Sequence, residues 1–405
     1  MLRYVALSLL FVTCVHAEDW PQLRGPNNNG HYAGKLPTKW SDKENIAWSV
    51  DIPGLGWSSP VTVDGKIYLT TAVENEDDSY SLRALCLDAS NGKLLWNTEV
   101  FTEPQKAPKI HSKNSHASPT PLVREGKCYV HFGHMGTACL DMAGKILWKQ
   151  SEHSYKPVHG NGGSLCLVEN YLIFSIDGDD MQAVIALDAG SGSTAWKVDR
   201  KTKPSKNFSF GTPLHIVHEG VSQVVCVGSD VVMSLDPQSG NELWRFRFKG
   251  YSQIPVPIYH QGIIYVCTGY DSPKLLAIKA GGSGDVTDTH LAWQVSRNIG
   301  HTPSPVLVDN HLFVVADNGV MSCLDLVKGE QKWQQRLPGN YSASILYADK
   351  LLYVLNEQGV CSVVEAADKF KEVSKNTLPG RTLASPTPAN GKLLLRTDEK
   401  LYCIQ

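Results

Sequence analysis

The sequence predicts an all-β fold, an eight-bladed β-propeller of four-stranded antiparallel blades, on three observations. A unit running small residue, x, Asp, three residues, Gly, three residues, Trp recurs at one spacing: Cys86 to Trp96, Ala186 to Trp196, Ser234 to Trp244 and Cys323 to Trp333. Eight extended starts accompany these units, at Ser59-Pro60, Ser118-Pro119, Gly163-Ser164, Thr212-Pro213, Val256-Pro257, Ser304-Pro305, Ala343-Ser344 and Ser385-Pro386. The runs between them are short, β-branched or aromatic, and bounded by Asp-Gly or Asn-Gly turns, with no competing helical periodicity.

At the N-terminus, Arg3, an apolar run from Val5 to Val15 and the small-residue site ending at Ala17 predict a cleaved secretory signal. The run is shorter than the roughly 20 residues a membrane helix needs. Phe11, Val12 and Thr13 lack the small residues that would favour lipid attachment at Cys14. The expected organisation is a signal peptide over 1–17, an extension over 18–44 and a single propeller domain over 45–405. The mature product is expected to be soluble, exported to the periplasm or beyond, and not an integral membrane protein. With 38 Lys plus Arg against 40 Asp plus Glu, the net charge of −2 argues against nucleic acid as a partner.

Further along, the copy Cys139, Asp141, Gly144, Trp148 is one residue short, and the copy from Ala277 to Trp293 is lengthened by Gly281-Gly282-Ser283-Gly284. The last copy starts at Ser385 and has room for three strands only. Asn45-Ile46-Ala47-Trp48 reads as an orphan fourth strand, so the two should join and close the ring, removing its free edges. The blade tryptophans are then Trp48, Trp96, Trp148, Trp196, Trp244, Trp293 and Trp333, each expected to pack between neighbouring blades. Cys86, Cys139, Cys323 and Cys403 occupy equivalent points of sheets about 10 Å apart, beyond the roughly 7 Å Cα limit of a disulfide, and are expected to be free and buried.

This repeat resembles the tryptophan-docking motif of the eight-bladed quinoprotein propellers, over residues 45 to 405. Trp20-Pro21-Gln22-Leu23-Arg24-Gly25-Pro26-Asn27 is similar to the N-terminal signature of a bacterial group of PQQ-like repeat proteins. The family implied by the resemblance includes enzymes that use pyrroloquinoline quinone (PQQ) and non-catalytic relatives such as the outer-membrane assembly lipoprotein BamB. Such a resemblance bears on fold and leaves function open.

In a four-stranded meander the connections from strand four to the next blade share a face with the turns between strands two and three. That face should collect 106–116, 154–161, 200–210 and Gly380-Arg381, with turns at His134, Asp177 to Asp180 and Asp317-Asn318. Long loops over a rigid scaffold are where binding residues sit. Six of the 14 histidines fall between 111 and 159. The ligand candidates are His111, Lys113, Asn114, His116, His131, His134, His159 and Asn161, with Arg381 as an anion-binding candidate. His131 stands where most blades place a small or apolar residue and needs a polar partner.

A hydrogen-bonded structural network is the competing reading, and it ranks above a metal site because the histidine spacings match no zinc pattern. Asp177, Asp179 and Asp180 share one turn and would suit a hard cation such as calcium, with a solvated turn the plainer reading. The leading functional expectation is a non-catalytic propeller that binds a small ligand or a protein partner through the funnel face. A PQQ- and Ca²⁺-dependent oxidoreductase is the alternative that the resemblance implies, and no other cofactor is indicated. It is weakened by the absence of a Cys-Cys pair and of any acidic residue matched to a catalytic position. A BamB-like outer-membrane assembly scaffold is the third reading.

Overall fold

The computed structural model describes residues 19–271 and 273–405. The leader, Cys14 and the cleavage point before Glu18 lie outside the described residues. Eight antiparallel sheets follow one another, each a four-stranded meander. Blades one to seven span 61–103, 122–150, 166–199, 214–247, 258–295, 306–336 and 346–377. Blade eight combines Thr387–Ala389, Lys392–Arg396 and Lys400–Ile404 with Ile46–Asp51, Trp48 standing opposite Cys403. The ring is therefore closed by a strand from the start of the chain, which covers the exposed edge of Lys400–Ile404 and becomes the outermost strand of the blade.

Blades one, two, three, four and six share one local chemistry. The Asp that ends strand three accepts backbone N–H groups of the following turn, as Asp88 does from Ser90 and Asp236 from Ser239. A register shift then falls at the tryptophan of strand four, between Cys86 and Leu87 in blade one and between Ala186 and Leu187 in blade three. The bulge aims the indole sideways at the next blade. A side chain at Gly92 would lie 2.7 Å from the Trp48 ring, and Gly144 and Gly192 meet Trp96 and Trp148 in the same way. Trp48 Nε1 donates to the Ala89 carbonyl, Trp96 to Met142 and Trp148 to Ala189. The nine cysteines of the described residues are all buried and free.

The start of blade two is corrected. Its first strand is Leu122–Arg124, so Thr120-Pro121, not Ser118-Pro119, is the equivalent of Ser59-Pro60. Ser-Pro-Thr-Pro carries the start signal twice, and only the register against the neighbouring blades selects one. That register is a ring of hydrogen bonds about the axis. Ser59 N–H donates to Thr120 Oγ1 at 3.0 Å, Thr120 to Ser164 at 2.9 Å and Ser164 to Thr212 at 2.9 Å. The ring resumes from Val256 to Ser304 at 3.0 Å, Ser304 to Ser344 at 3.2 Å, Ser344 to Ser385 at 3.0 Å, and Ser385 to Ser59 at 3.0 Å. The one missing step is from Thr212 to blade five, where Val256 has no hydroxyl.

Residues 19–44 do more than lead into the ring. Trp20 is buried and pairs with Thr62 of blade one, and the Pro21 carbonyl accepts Val123 N–H of blade two. Arg24 reaches the innermost strands of blades six and seven. It donates to the carbonyls of Pro305 at 2.6 Å and Ile345 at 3.4 Å, and to Asn29 and Asn28 of its own segment at 3.0 and 3.2 Å. Burial pushes its guanidinium down to about 9, so it remains a cation at neutral pH. The segment lies across the axis directly beneath the hydroxyl ring, since Pro305 and Ile345 follow the ring residues Ser304 and Ser344. His31–Tyr32 then adds in parallel to blade seven.

Blade seven has no tryptophan. Ser374 stands opposite Val363 at the bulge position. Trp40 of the extension is buried in the seam between blades seven and eight with Tyr32 and Leu36, and its backbone N–H donates to Asn376 Oδ1 of blade seven. The Thr38 carbonyl accepts hydrogen bonds from Ser374 and Asn376. In blade five the inserted segment forms Gly284–Asp285, parallel to the outer strand of blade four, and buries Trp244.

Candidate functional site

A cavity of about 690 Å³ opens on the axis at the end where the inner strands begin. Its floor is the hydroxyl ring together with Leu23, which rises from the N-terminal segment below. Its walls are the connections that precede each Pro-marked strand start, as the meander topology requires.

One side of the wall is aromatic. His111 meets His159 at a centroid separation of 5.6 Å, His159 meets Phe208 at 4.9 Å, and Phe208 meets Tyr251 at 5.4 Å. Tyr251 meets Tyr270 at 6.1 Å and Tyr270 meets His301 at 5.0 Å. Six rings thus run edge to face or tilted from the connection before blade two to the connection before blade six, all lining the cavity. On the other side Trp57 lies under the Arg381 guanidinium, 5.8 Å from the ring centroid. Lys113 Nζ crosses to Glu357 Oε1 of blade seven at 2.7 Å, and Glu357 is further held by Ser342.

His159 carries local strain: its φ of 69° is left-handed without being glycine. Its carbonyl accepts His111 N–H at 3.1 Å and Asn114 Nδ2 at 2.9 Å, which holds the two loops together. Burial and the neighbouring His111 keep its imidazole below the ordinary histidine value. Lys113 N–H donates to His111 Nδ1, so the uncharged ring carries its hydrogen on Nε2.

Of the sequence candidates, His111, Lys113, Asn114 and His159 line the cavity. His134, Asn161 and His116 stand behind it in a buried network. Glu103 accepts from His134 Nε2 at 2.9 Å, Asn161 Nδ2 donates to His134 Nδ1 at 3.1 Å, and Tyr155 donates to Asn161 Oδ1 at 2.7 Å. This pattern defines neutral His134 as the Nε2–H tautomer. His116 Nδ1 lies 4.0 Å from Glu103 Oε2 and its ring stacks on Tyr80. Burial holds the His116 imidazole below its ordinary value, opposed by Glu103. His131 is also buried, bonded to Thr137 Oγ1 at 2.8 Å and packed against Phe174 of blade three. Burial pushes its imidazole down to about 3.

The acidic turn is divided. Asp177 is buried in a two-pronged pair with Arg200, Nε to Oδ1 at 2.6 Å and Nη2 to Oδ2 at 2.8 Å. Asp179 and Asp180 are exposed, and Asp180 caps Lys156 N–H. Among the described residues no three His, Cys, Asp or Glu side chains are grouped to hold a metal ion. Trp57, Phe208, Tyr251, Tyr270 and His301 also line the cavity and are not among the sequence candidates. Most of them carry a shared signal, an aromatic residue a few positions before a strand start, as Trp57 is before Ser59-Pro60 and His301 before Ser304-Pro305.

A family model described as outer membrane protein assembly factor BamB matches residues 34–198, 180–285 and 282–401. The outer membrane protein assembly factor BamB of Yersinia pestis is 24% identical over 265 residues, 52% of this chain and 66% of that protein. The BamB of Moranella endobia is 21% identical over 283 residues, 66% of this chain and 69% of that protein. The chain therefore spans about two thirds of the length of these relatives. Among solved structures, BamB from Moraxella catarrhalis superposes with a TM-score of 0.62 at 13% identity, covering 88% of this chain and 96% of that one. The quinohemoprotein alcohol dehydrogenase of Comamonas testosteroni superposes with a TM-score of 0.68 at 12% identity, covering 95% of this chain and 80% of that one. At these identities the structural likeness concerns the fold. No described helix is long and apolar enough to cross a membrane.

Proposed function

Since this chain belongs to the BamB family of PQQ-repeat propellers, we propose that it is an exported, non-catalytic binding protein that takes a small organic ligand in its axial funnel. The carrying observation is the cavity of about 690 Å³ with six successive aromatic rings on one wall, a size and lining suited to a ligand rather than to a packed channel. Backbone strain at His159, inside that wall, is the kind retained where a surface is shaped for contact.

The residues present do not fit PQQ with its calcium ion. The carboxylate that lines the cavity, Asp317, is occupied by His301 N–H at 2.6 Å and Thr302 Oγ1 at 2.7 Å. No acidic group is placed beside it to complete a cation site among the described residues. A protein partner on the same face is the second reading, supported by the assembly role in the relatives' name and by Tyr270, 55% exposed at the rim.

The test is a thermal-shift screen of small molecules against the mature protein and its Phe208→Ala and Tyr251→Ala variants. The reading requires a compound that raises the melting temperature of the parent and fails to raise that of the folded variants. Equal shifts in all three would remove the funnel as the binding site.

A further inference from the structure

The hydroxyl ring has a property that its structural role does not use. Each of its seven side-chain oxygens, such as Thr120 Oγ1 and Ser164 Oγ, accepts one backbone N–H from the preceding blade. In none of the seven does the hydroxyl hydrogen go to another group of the described chain. All seven residues line the cavity. A hydroxyl has one hydrogen and two lone pairs, so an oxygen that already accepts is free to donate. At the gap before Val256 the Thr212 backbone N–H lacks the partner that its counterparts have. The floor of the funnel is therefore a crown of donors converging on one axis.

The charges of the lining point the same way. Of the two lysines that line the cavity, Lys113 is already paired with Glu357, and Lys206 is in no ion pair among the described residues, so its charge is the one available to a ligand. The single lining carboxylate, Asp317, has both oxygens engaged. The aromatic wall meanwhile offers ring faces to a flat or ring-shaped body. A ligand that complements both features carries acceptor oxygens of negative charge at one end and a ring with apolar faces at the other.

Resting on the reading of the funnel as a binding site, we propose that its ligand is an anionic saccharide, seated with a carboxylate or sulfate toward the hydroxyl crown and its sugar rings against the Phe208–Tyr251 wall. Hydroxyl-rich walls also match the mixed donor and acceptor pattern of the sugar hydroxyls. Hydrogen bonds to a charged group in a site screened from water are the strong ones, so the crown sets affinity and the wall sets orientation.

Calorimetric titration of the mature protein with trigalacturonic acid, a sulfated galactose trisaccharide and uncharged galactotriose tests this. The expected result is that one or both charged sugars bind at least roughly tenfold tighter than galactotriose. Which of the two binds identifies carboxylate or sulfate as the charged group. Thr212→Val, which keeps the side-chain shape but removes one donor together with the acceptor of Ser164 N–H, should weaken the charged sugar by roughly tenfold more than it weakens galactotriose. Lys206→Gln, a surface change that leaves the fold intact, should weaken it by a few-fold and flatten its dependence on salt. Galactotriose binding as tightly as the charged sugars, or 2-naphthoate binding where neither charged sugar does, overturns the proposal. So does unchanged affinity in both Thr212→Val and Lys206→Gln. If such a rival probe loses affinity in Phe208→Ala, the funnel reading survives that failure; if no sugar, no naphthoate and no compound of the thermal-shift screen binds, both fall together.

Discussion

The N-terminal segment beneath the funnel floor and the funnel above it solve opposite problems with different residues. At the N-terminal segment, Arg24 spends its donors on four backbone carbonyls, two of them from blades six and seven, and Trp20 is buried against blade one. At the funnel, the hydroxyl ring accepts hydrogen bonds and leaves its own donors open, and His159 is held in a strained conformation at the wall. A site differs from a seam in what remains unspent. Donors satisfied inside the chain make a fold, and donors left facing a cavity make a place for a ligand.

Removing the Arg24 guanidinium is the strongest way to break this contrast. Arg24→Met should cost about 3 kcal/mol or more, because several buried carbonyls lose a charged donor at once. Urea denaturation followed by tryptophan fluorescence reads this, and an unchanged midpoint would show that the segment is not part of the closure.

Acid should act next, and on the funnel side. His131, pushed down to about 3 from 6.5, and His116, held low by burial, are neutral in the folded chain while the unfolded chain takes up protons. The unfolded state then binds more protons below pH 6.5, so stability falls as pH drops from about 6.5 toward 3. For His131 alone the loss at pH 5 is about 2 kcal/mol. His131→Phe should flatten the fall in melting temperature across that window; in the N-terminal segment the Arg24 guanidinium, cationic throughout, adds nothing, while His31 beside it, held low by burial, contributes to the residual slope.

Val256→Thr sharpens the comparison in the other direction. It supplies the missing acceptor for Thr212 N–H with little change of shape, and should raise the unfolding midpoint by about 1 kcal/mol of added stability. A loss of stability would mean that the gap is required by the packing of blade five. The smallest effect is expected at Lys35→Met. Its bridge to Asp349 is exposed on both sides, so less than about 1 kcal/mol should be lost, with a weaker dependence of stability on salt as the signature.

Much of the blade was legible because its causes are local. The Asp88 turn, the glycine at 92 and the tryptophan at 96 lie within nine residues, and the same chemistry recurs in five of the eight blades. Even the closing strand at Trp48 could be inferred, because a three-stranded last copy leaves an edge that a ring cannot keep. Trp40 was not legible as the aromatic of the blade seven seam. It lies more than 300 residues from Ser374, and nothing local to blade seven says which segment fills the missing indole's side of the sheet.

The sequence by itself determined the fold class, the number of blades and the face on which long polar loops gather, since each follows from short-range patterning and the geometry of a meander. Tertiary structure alone decided which side chains share a cavity. His111, Phe208, Tyr251 and His301 come from four different connections, and closure of the ring is what brings them to one wall. The same closure turned His131, His134 and Asn161 inward to partners within the fold. A histidine's local sequence does not say whether its neighbour in space will be a ligand or a buried carboxylate such as Glu103.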